Sequence, residues 1–334
     1  MDELKLYPLR ISELEDVYAW GKETFALADL GYRDSIIGDG WLAANTMSEV
    51  MDTYMDRIVG DVVFSMYGRQ FPVQMKRISC EGKMPLRVHP DDSTAESRYD
   101  ALGKEKLWYI LSCSPDAKIV HGFNHKMDAA TLLDGITNGT LEEHLALHGV
   151  HAGDAIRIKP GTVHGAIGKM EILEVSQSSA LDFCVYPFGQ TLGDEEFDPA
   201  LDIVEALDII EYNPVALEFC KSKKLSDGVF ELLNLPQFVV NRLDLKNALR
   251  ISSEKTDSFA LYYCVKGKAE VKTEIEGLGK VQYVLSEGQS LLLPAEILEY
   301  FLEPMEPGTV LLEAMGQTVI KPEFPPLEED KNNE

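Results

Sequence analysis

The chain has 334 residues, 45% hydrophobic and 26% charged, with 56 acidic side chains against 31 basic ones and a formal net charge of −25. At roughly 150 residues per domain, that length suggests two domains, each able to bury a core. A field of that sign repels phosphate backbones and anionic lipid, which argues against nucleic-acid and membrane-surface partners.

The first twenty residues, MDELKLYPLRISELEDVYAW, are acidic and lack the basic-then-apolar order of a signal peptide. No apolar run approaches the roughly 18 residues of a membrane span. From about Val59 onward short β-rich runs dominate: DVVFSMY (61–67), FPVQMKRIS (71–79), KLWYILS (106–112), AKIVHGF (117–123), DAIRIKP (154–160) and EILEVSQ (171–177). Gly and Pro punctuate them, as in hairpins and sandwich strands. Between Met127 and His148, Leu132, Leu133, Ile136, Leu141, Leu145 and Leu147 recur at helical spacing around an Asn-Gly-Thr break. That pattern predicts two short helices inserted into a β domain, with a second helical patch over 198–207. FVVNRLDL (238–245), SFALYYCVKGKAEVKTE (258–274), VQYVLSEGQSLLLPAEI (281–297) and TVLLEAMG (309–316) repeat the strand pattern. The end, 321–334, is Pro-rich and then charged and is expected to be a solvated tail. Five widely spaced cysteines without a CxxC fit reduced thiols in a cytoplasm.

The β halves look like one unit used twice. LWYILS (107–112) matches LYYCVK (261–266), and GDAIRIKPGTVH (153–164) matches EGQSLLLPAEIL (287–298). The expected architecture is mostly β: two jelly-roll barrels with a small inserted helical subdomain. Residues 1–235 would form the first, with the insertion at about 124–150, and residues 236–320 the second. In the second, Ala260 and Leu298 fall where Lys106 and His164 stand in the first, so it reads as a structural partner without a ligand set.

Chemistry concentrates in MPLRVHPDD (84–92), GKEKLWYIL (103–111) and GDAIRIKPGTVHGAI (153–167). Residues at i and i+2 on a strand share a face, so Arg87 and His89 point together, as do Lys104 and Lys106. His164 follows a Pro-Gly turn. An H-x-H, a downstream Glu and a late His on facing strands would hold a first-row metal.

These segments, with ALADLGY (26–32), GDGW (38–41), PVQMKRI (72–78) and LDFCVYP (181–187), resemble the class I mannose-6-phosphate isomerases, which are cupin proteins. The resemblance covers nearly the whole chain. It implies a zinc held by Gln, His, Glu and His, whose positions here are Arg87, His89, Lys106 and His164. It also implies that Lys76 and Lys104 line a substrate pocket, that an active-site serine has become Pro85, and that a family arginine has become Cys184.

Two of the four ligand positions thus carry cations. Arginine has no lone pair to offer, and lysine ligates only as a neutral amine. A unit charge about 4 Å from a divalent ion costs on the order of 8 kcal/mol at an effective dielectric of 20. Zinc is therefore expected to bind weakly or not at all, with His89 and His164 its only retained ligands. Glu105, one residue from Lys106, points to the opposite face unless a bulge intervenes.

Two readings of Lys76, Arg87, Lys104 and Lys106 stay open. The four form an anion pocket for a phosphorylated or acidic sugar, or Arg87 and Lys106 pair with Asp91, Asp92, Glu105 or Glu174. For function, one reading is an aldose–ketose isomerase, impaired or metal-independent. Arg87 and Lys106 would supply positive charge, and His89, His164 or Glu174 the base. The other reading is a non-catalytic sugar-phosphate binder or sensor.

Overall fold

The computed structural model describes residues 4–190, 199–253 and 256–318; the expected tail over 321–334 lies outside them. Antiparallel sheets dominate, as the runs above require. A seven-stranded sheet has the order Glu218–Phe219, Ala155–Ile158, Lys106–Cys113, Met170–Gln177, Val73–Cys80, Gly21–Leu27 and Leu14–Tyr18. A five-stranded sheet has the order Phe183–Tyr186, Leu86–Val88, His164–Ile167, Lys118–Phe123 and Leu145–Gly149. An eight-stranded and a four-stranded sheet carry the second half.

Alternation along the central strands explains both faces. Val73 and Met75, Leu107 and Tyr109, and Leu173 and Val175 enter the large core shared with the second half. Ile78, Trp108, Ile110 and Ile172 turn the other way, into a second apolar cluster. Covered on both sides, these strands read as near-continuous hydrophobic runs. The polar residues on the inward face, Lys76, Lys106 and Glu174, are buried there.

The repeat seen in the sequence is kept in register. Trp108 stands opposite Glu174, and Tyr262 stands opposite Glu313. On the other side of each acid, Lys76 faces Glu174 and Asn241 faces Glu313.

Three expectations need correction. DVVFSMY is the helix Asp61–Tyr67, not a strand. Its β-branched run is overridden by context: Gly60 at φ 92° and Gly68 at φ 61° bracket it, and Val63 packs so close to Gly316 that a Cβ there would lie 2.5 Å from the valine Cγ2. The insertion holds one helix, Ala129–Asn138, then a single 3-10 turn, Leu141–His144, and the strand Leu145–Gly149. The leucines at 145 and 147 belong to that strand, whose alternation the helical reading absorbed. Strands also begin well before residue 59, at Leu9–Ser12, Leu14–Tyr18 and Gly21–Leu27. The first of these, with Ile36–Ile37, joins the eight-stranded sheet of the second half. The second helical patch appears as Pro199–Leu207.

Candidate functional site

The site lies between the seven- and five-stranded sheets of the first barrel. The former contributes Glu23, Lys76, Lys106 and Glu174 from four neighbouring strands. From the latter come Arg87 and His164, directly opposite each other, and Cys184 opposite Arg87. His89 follows the strand Leu86–Val88, and Asp182 precedes Phe183–Tyr186.

The acidic pair of HPDD shapes the loop rather than the site. Asp91 caps the helix Asp92–Tyr99 by accepting from the Thr94 amide at 2.8 Å. Asp92 accepts from the Gly103 amide at 3.0 Å, and a Cβ on Gly103 would strike the Asp92 nitrogen at 2.3 Å. The Pro-Gly turn works similarly. At φ 80°, Gly161 donates its amide to the His89 carbonyl at 2.9 Å, which fixes the two histidine-bearing segments to each other.

Lys106 is the centre of the constellation. Its Nζ lies 2.7 Å from Asp182 Oδ2, 3.1 Å from His164 Nε2 and 3.8 Å from Glu174 Oε2. Lys76 is held by Glu23 at 2.9 Å and Glu174 at 3.6 Å. Arg87 lies 3.5 Å from Glu23 and 3.8 Å from Asp182. Glu174 also accepts from the Trp108 indole at 2.7 Å. Lys104 donates to the Ser179 carbonyl at 2.6 Å and makes no ion pair among the described residues. Glu105 faces away and is clamped by Arg157 at 2.6 and 3.0 Å, so no bulge brings it in.

These surroundings set the protonation states. Burial opposes charge on Glu174, but the cations of Lys106, Lys76 and Lys104 outweigh it and bring the carboxyl to about 2. Asp182 is held well below the usual carboxylate range against its burial, by Lys106, Lys104 and Arg87. Burial, then Lys106, lowers His164 to about 3, and the same two causes hold His89 well below its ordinary value. Both rings are neutral at physiological pH. Burial, reinforced by Lys106 and Lys76, lowers Lys104 to about 7. Burial pushes the Cys184 thiol to about 12, so it is a small apolar residue and not a nucleophile.

The structure thus brings all six residues singled out in the sequence into one place. Lys76, Arg87 and Lys104 line a cavity of about 300 Å³ with Tyr18, Glu23, Tyr32, Asp182 and Cys184. The pairing alternative is realised in part, yet with other partners: of the acids named, only Glu174 takes part, and Glu23 and Asp182 supply the rest. Sequence reasoning missed both. Asp182 stands in a quoted motif, two residues before the one replacing the family arginine; Glu23 lies on a strand ahead of the residues where the sequence pattern placed the first strands.

Do these residues fit the zinc that the resemblance implies? His89, His164 and Asp182 each offer a donor atom, all within 4.8 Å of one another. The lone pair of His164 Nε2 is already directed at the Lys106 ammonium. Zinc on that lone pair would sit at about 2.1 Å, roughly an ångström from Nζ. The set as it stands does not fit the ion.

No family model matches the chain. Among curated proteins it is 25% identical over 311 residues to mannose-6-phosphate isomerase ManA of Bacillus subtilis, covering 85% of this chain and 92% of that one. It is 29% identical over 231 residues to a mannose-6-phosphate isomerase of Streptococcus mutans, covering 68% and 69%. Among solved structures, the mannose 6-phosphate isomerase from Bacillus subtilis superposes with a TM-score of 0.79 at 19% identity, covering 92% of this chain and 99% of that one. A phosphomannose isomerase variant from Salmonella typhimurium gives 0.71 at 14%, covering 93% and 99%. These likenesses bear out the mostly β cupin architecture.

Proposed function

We propose, from the premise that this chain is a homologue of the class I mannose-6-phosphate isomerases, that it is an isomerase-like protein of carbohydrate metabolism that takes a phosphorylated sugar in the first barrel. The observation that carries the ligand is the gathering of basic side chains at one cavity. Lys76, Arg87 and Lys104 line it together with the carboxylates of Asp16, Glu23, Asp182 and Asp202, and Lys104, half protonated near pH 7, makes no ion pair among the described residues. About 300 Å³ is at the lower end of the range for small-molecule pockets. Arg87, whose side chain is 18% exposed, and Lys104 are positioned to meet the phosphate, with Lys76 behind them. No helix among the described residues is long and apolar enough to cross a membrane, and we place the protein in the cytoplasm on its reduced cysteines.

Thermal denaturation with mannose 6-phosphate, fructose 6-phosphate, mannose and inorganic phosphate tests this. At a hundred times Kd a ligand stabilises by about 2.7 kcal/mol. The phosphosugars are expected to raise the midpoint, free mannose to leave it unchanged, and Arg87→Ala to abolish the effect. A panel in which no phosphosugar shifts the midpoint defeats the proposal.

Exchange of mannose 6-phosphate with fructose 6-phosphate needs a base at C1 and C2 and positive charge at the developing oxyanion. Arg87 and Lys106 supply the charge without a metal. Of the three candidate bases, Glu174 is held at about 2. His164 has its Nε2 lone pair directed at Lys106 and its Nδ1 bonded to the Thr162 carbonyl. His89 remains, with neither ring nitrogen hydrogen-bonded among the described residues. A base of such low proton affinity makes the exchange slow. The expected result is a weak activity that chelator leaves unchanged and that falls about 10²–10⁴-fold in His89→Ala. Phosphosugar binding with no exchange at all would assign the non-catalytic role of binder or sensor instead.

A further inference from the structure

The geometry points to a metal site masked by its own side chain: the Lys106 ammonium occupies the place of the ion, and its removal would expose a two-histidine, one-carboxylate cation site of His89, His164 and Asp182. Three observations support this independently of the sugar reading. His164 is arranged like a metal ligand. Its Nδ1 is paired with the Thr162 carbonyl at 2.9 Å, which sets the tautomer and leaves the Nε2 lone pair facing inward. Backbone-anchored imidazoles of that kind are typical of bound metals. Here the lone pair meets Lys106 at 3.1 Å.

The second observation is a set of unused donors. His89 is fully buried, yet neither of its ring nitrogens has a hydrogen-bond partner among the described residues, and nor does Asp182 Oδ1, which faces His89 Nδ1 at 4.0 Å. Buried polar atoms are rarely left so. An ammonium has three protons and has spent two of them, on Asp182 and His164. A divalent ion placed among the same atoms would take up all three residues. The third observation is Asp182 itself. It stands just before the strand Phe183–Tyr186 of the five-stranded sheet, across the site from Lys106. With Lys106 gone, this carboxylate supplies the negative charge that the lysine position cannot.

The masking lysine is tethered, so the site's central positive charge cannot be lost by dilution or chelation. It also forbids exchange of one ion for another. Both properties separate this site from one that must be loaded.

Metal uptake tests the inference without any activity assay. Wild type, Lys106→Ala and Lys106→Ala/His164→Ala are equilibrated with zinc chloride, desalted and analysed for metal; cobalt(II) absorption reports the coordination. Wild type is expected to retain less than about a tenth of an equivalent, Lys106→Ala about one, and the double variant again almost none. Lys106→Glu, which adds a donor on the same strand, gives a second reading should the alanine variant unfold, and recovery of either variant only when zinc is present counts as binding. One equivalent in wild type that disappears on His164→Ala would overturn the inference. So would folded Lys106 variants that stay metal-free, or failure of both to fold with zinc supplied. None of these outcomes depends on whether phosphosugars bind.

Discussion

Asp182→Asn is expected to lower stability by about 3–5 kcal/mol, the cost of breaking a buried ion pair from one side. In a protein of this size that is on the order of 10 °C in the thermal midpoint. The reason is the loss of the shared counter-charge. Asp182 lies 2.7 Å from Lys106 and 3.8 Å from Arg87, and its side chain is only 9% exposed. Adding Lys106→Met to the variant should recover most of the loss, because the cation left stranded is then removed as well. The pH dependence has a definite sign. Asp182 and Glu174 have folded values below their unfolded ones, so their contribution is present above about pH 4 and is lost as pH falls through the folded values, about 2 for Glu174. Calorimetry at pH 7 and pH 3 should show wild type losing more stability between the two than Asp182→Asn does. A variant within about 1 kcal/mol of wild type at pH 7 would show that the lysine is held by something else.

Glu174→Gln and Glu313→Gln should differ sharply, although the two acids occupy matching places in the two barrels. Glu174 faces Trp108 across its strand pair, and Glu313 faces Tyr262. The first is ionised between Lys76 and Lys106. Neutralising it leaves two buried cations short of charge, again about 3–5 kcal/mol. The second has no cation partner among the described residues. Burial raises its carboxyl above the ordinary range, against hydrogen bonds from Asn241 and Tyr262. A raised folded value means stability that is present below about pH 4 and lost as pH rises through that value. Glutamine removes this loss and keeps an acceptor for Tyr262. Asn241, whose Oδ1 is unpartnered, can turn its amide to accept from the new NH₂. The cost of Glu313→Gln is expected to be about 1 kcal/mol or less, shrinking further at pH 8. Equal losses in the two variants by denaturant titration would contradict this electrostatic contrast between the barrels.

Much of the fold could be read because strand alternation is a local signal. The runs around Lys76, Lys106 and Glu174 read as strands; the place of Lys76 in a pocket follows from the family resemblance, and the sequence leaves a pairing with Glu174 as one of two open readings. The helix Asp61–Tyr67 was hidden because its β-branched residues carry the wrong propensity, and its form depends on glycines and on packing against Gly316. For the site, the motifs located every cation and both histidines. They could not reveal which carboxylates answer those cations. Asp182 and Glu23 reach Lys106, Lys76 and Arg87 across separations of 76, 53 and 64 residues. Nothing in a single sequence records such pairings.

The strand Leu9–Ser12 pairs with Ser290–Leu293, Leu9 opposite Leu292, roughly 280 residues along the chain. During synthesis at about 5–20 residues per second, this segment waits on the order of 15–60 s for its partner to leave the ribosome. The edge that will face Ser290–Leu293 stands open for that interval, while Ile11 and Ser12 have Ile37 and Ile36 to pair with on the other edge. Early nucleation must fall to the neighbouring hairpin of Leu14–Tyr18 and Gly21–Leu27, whose strands emerge within seconds of each other.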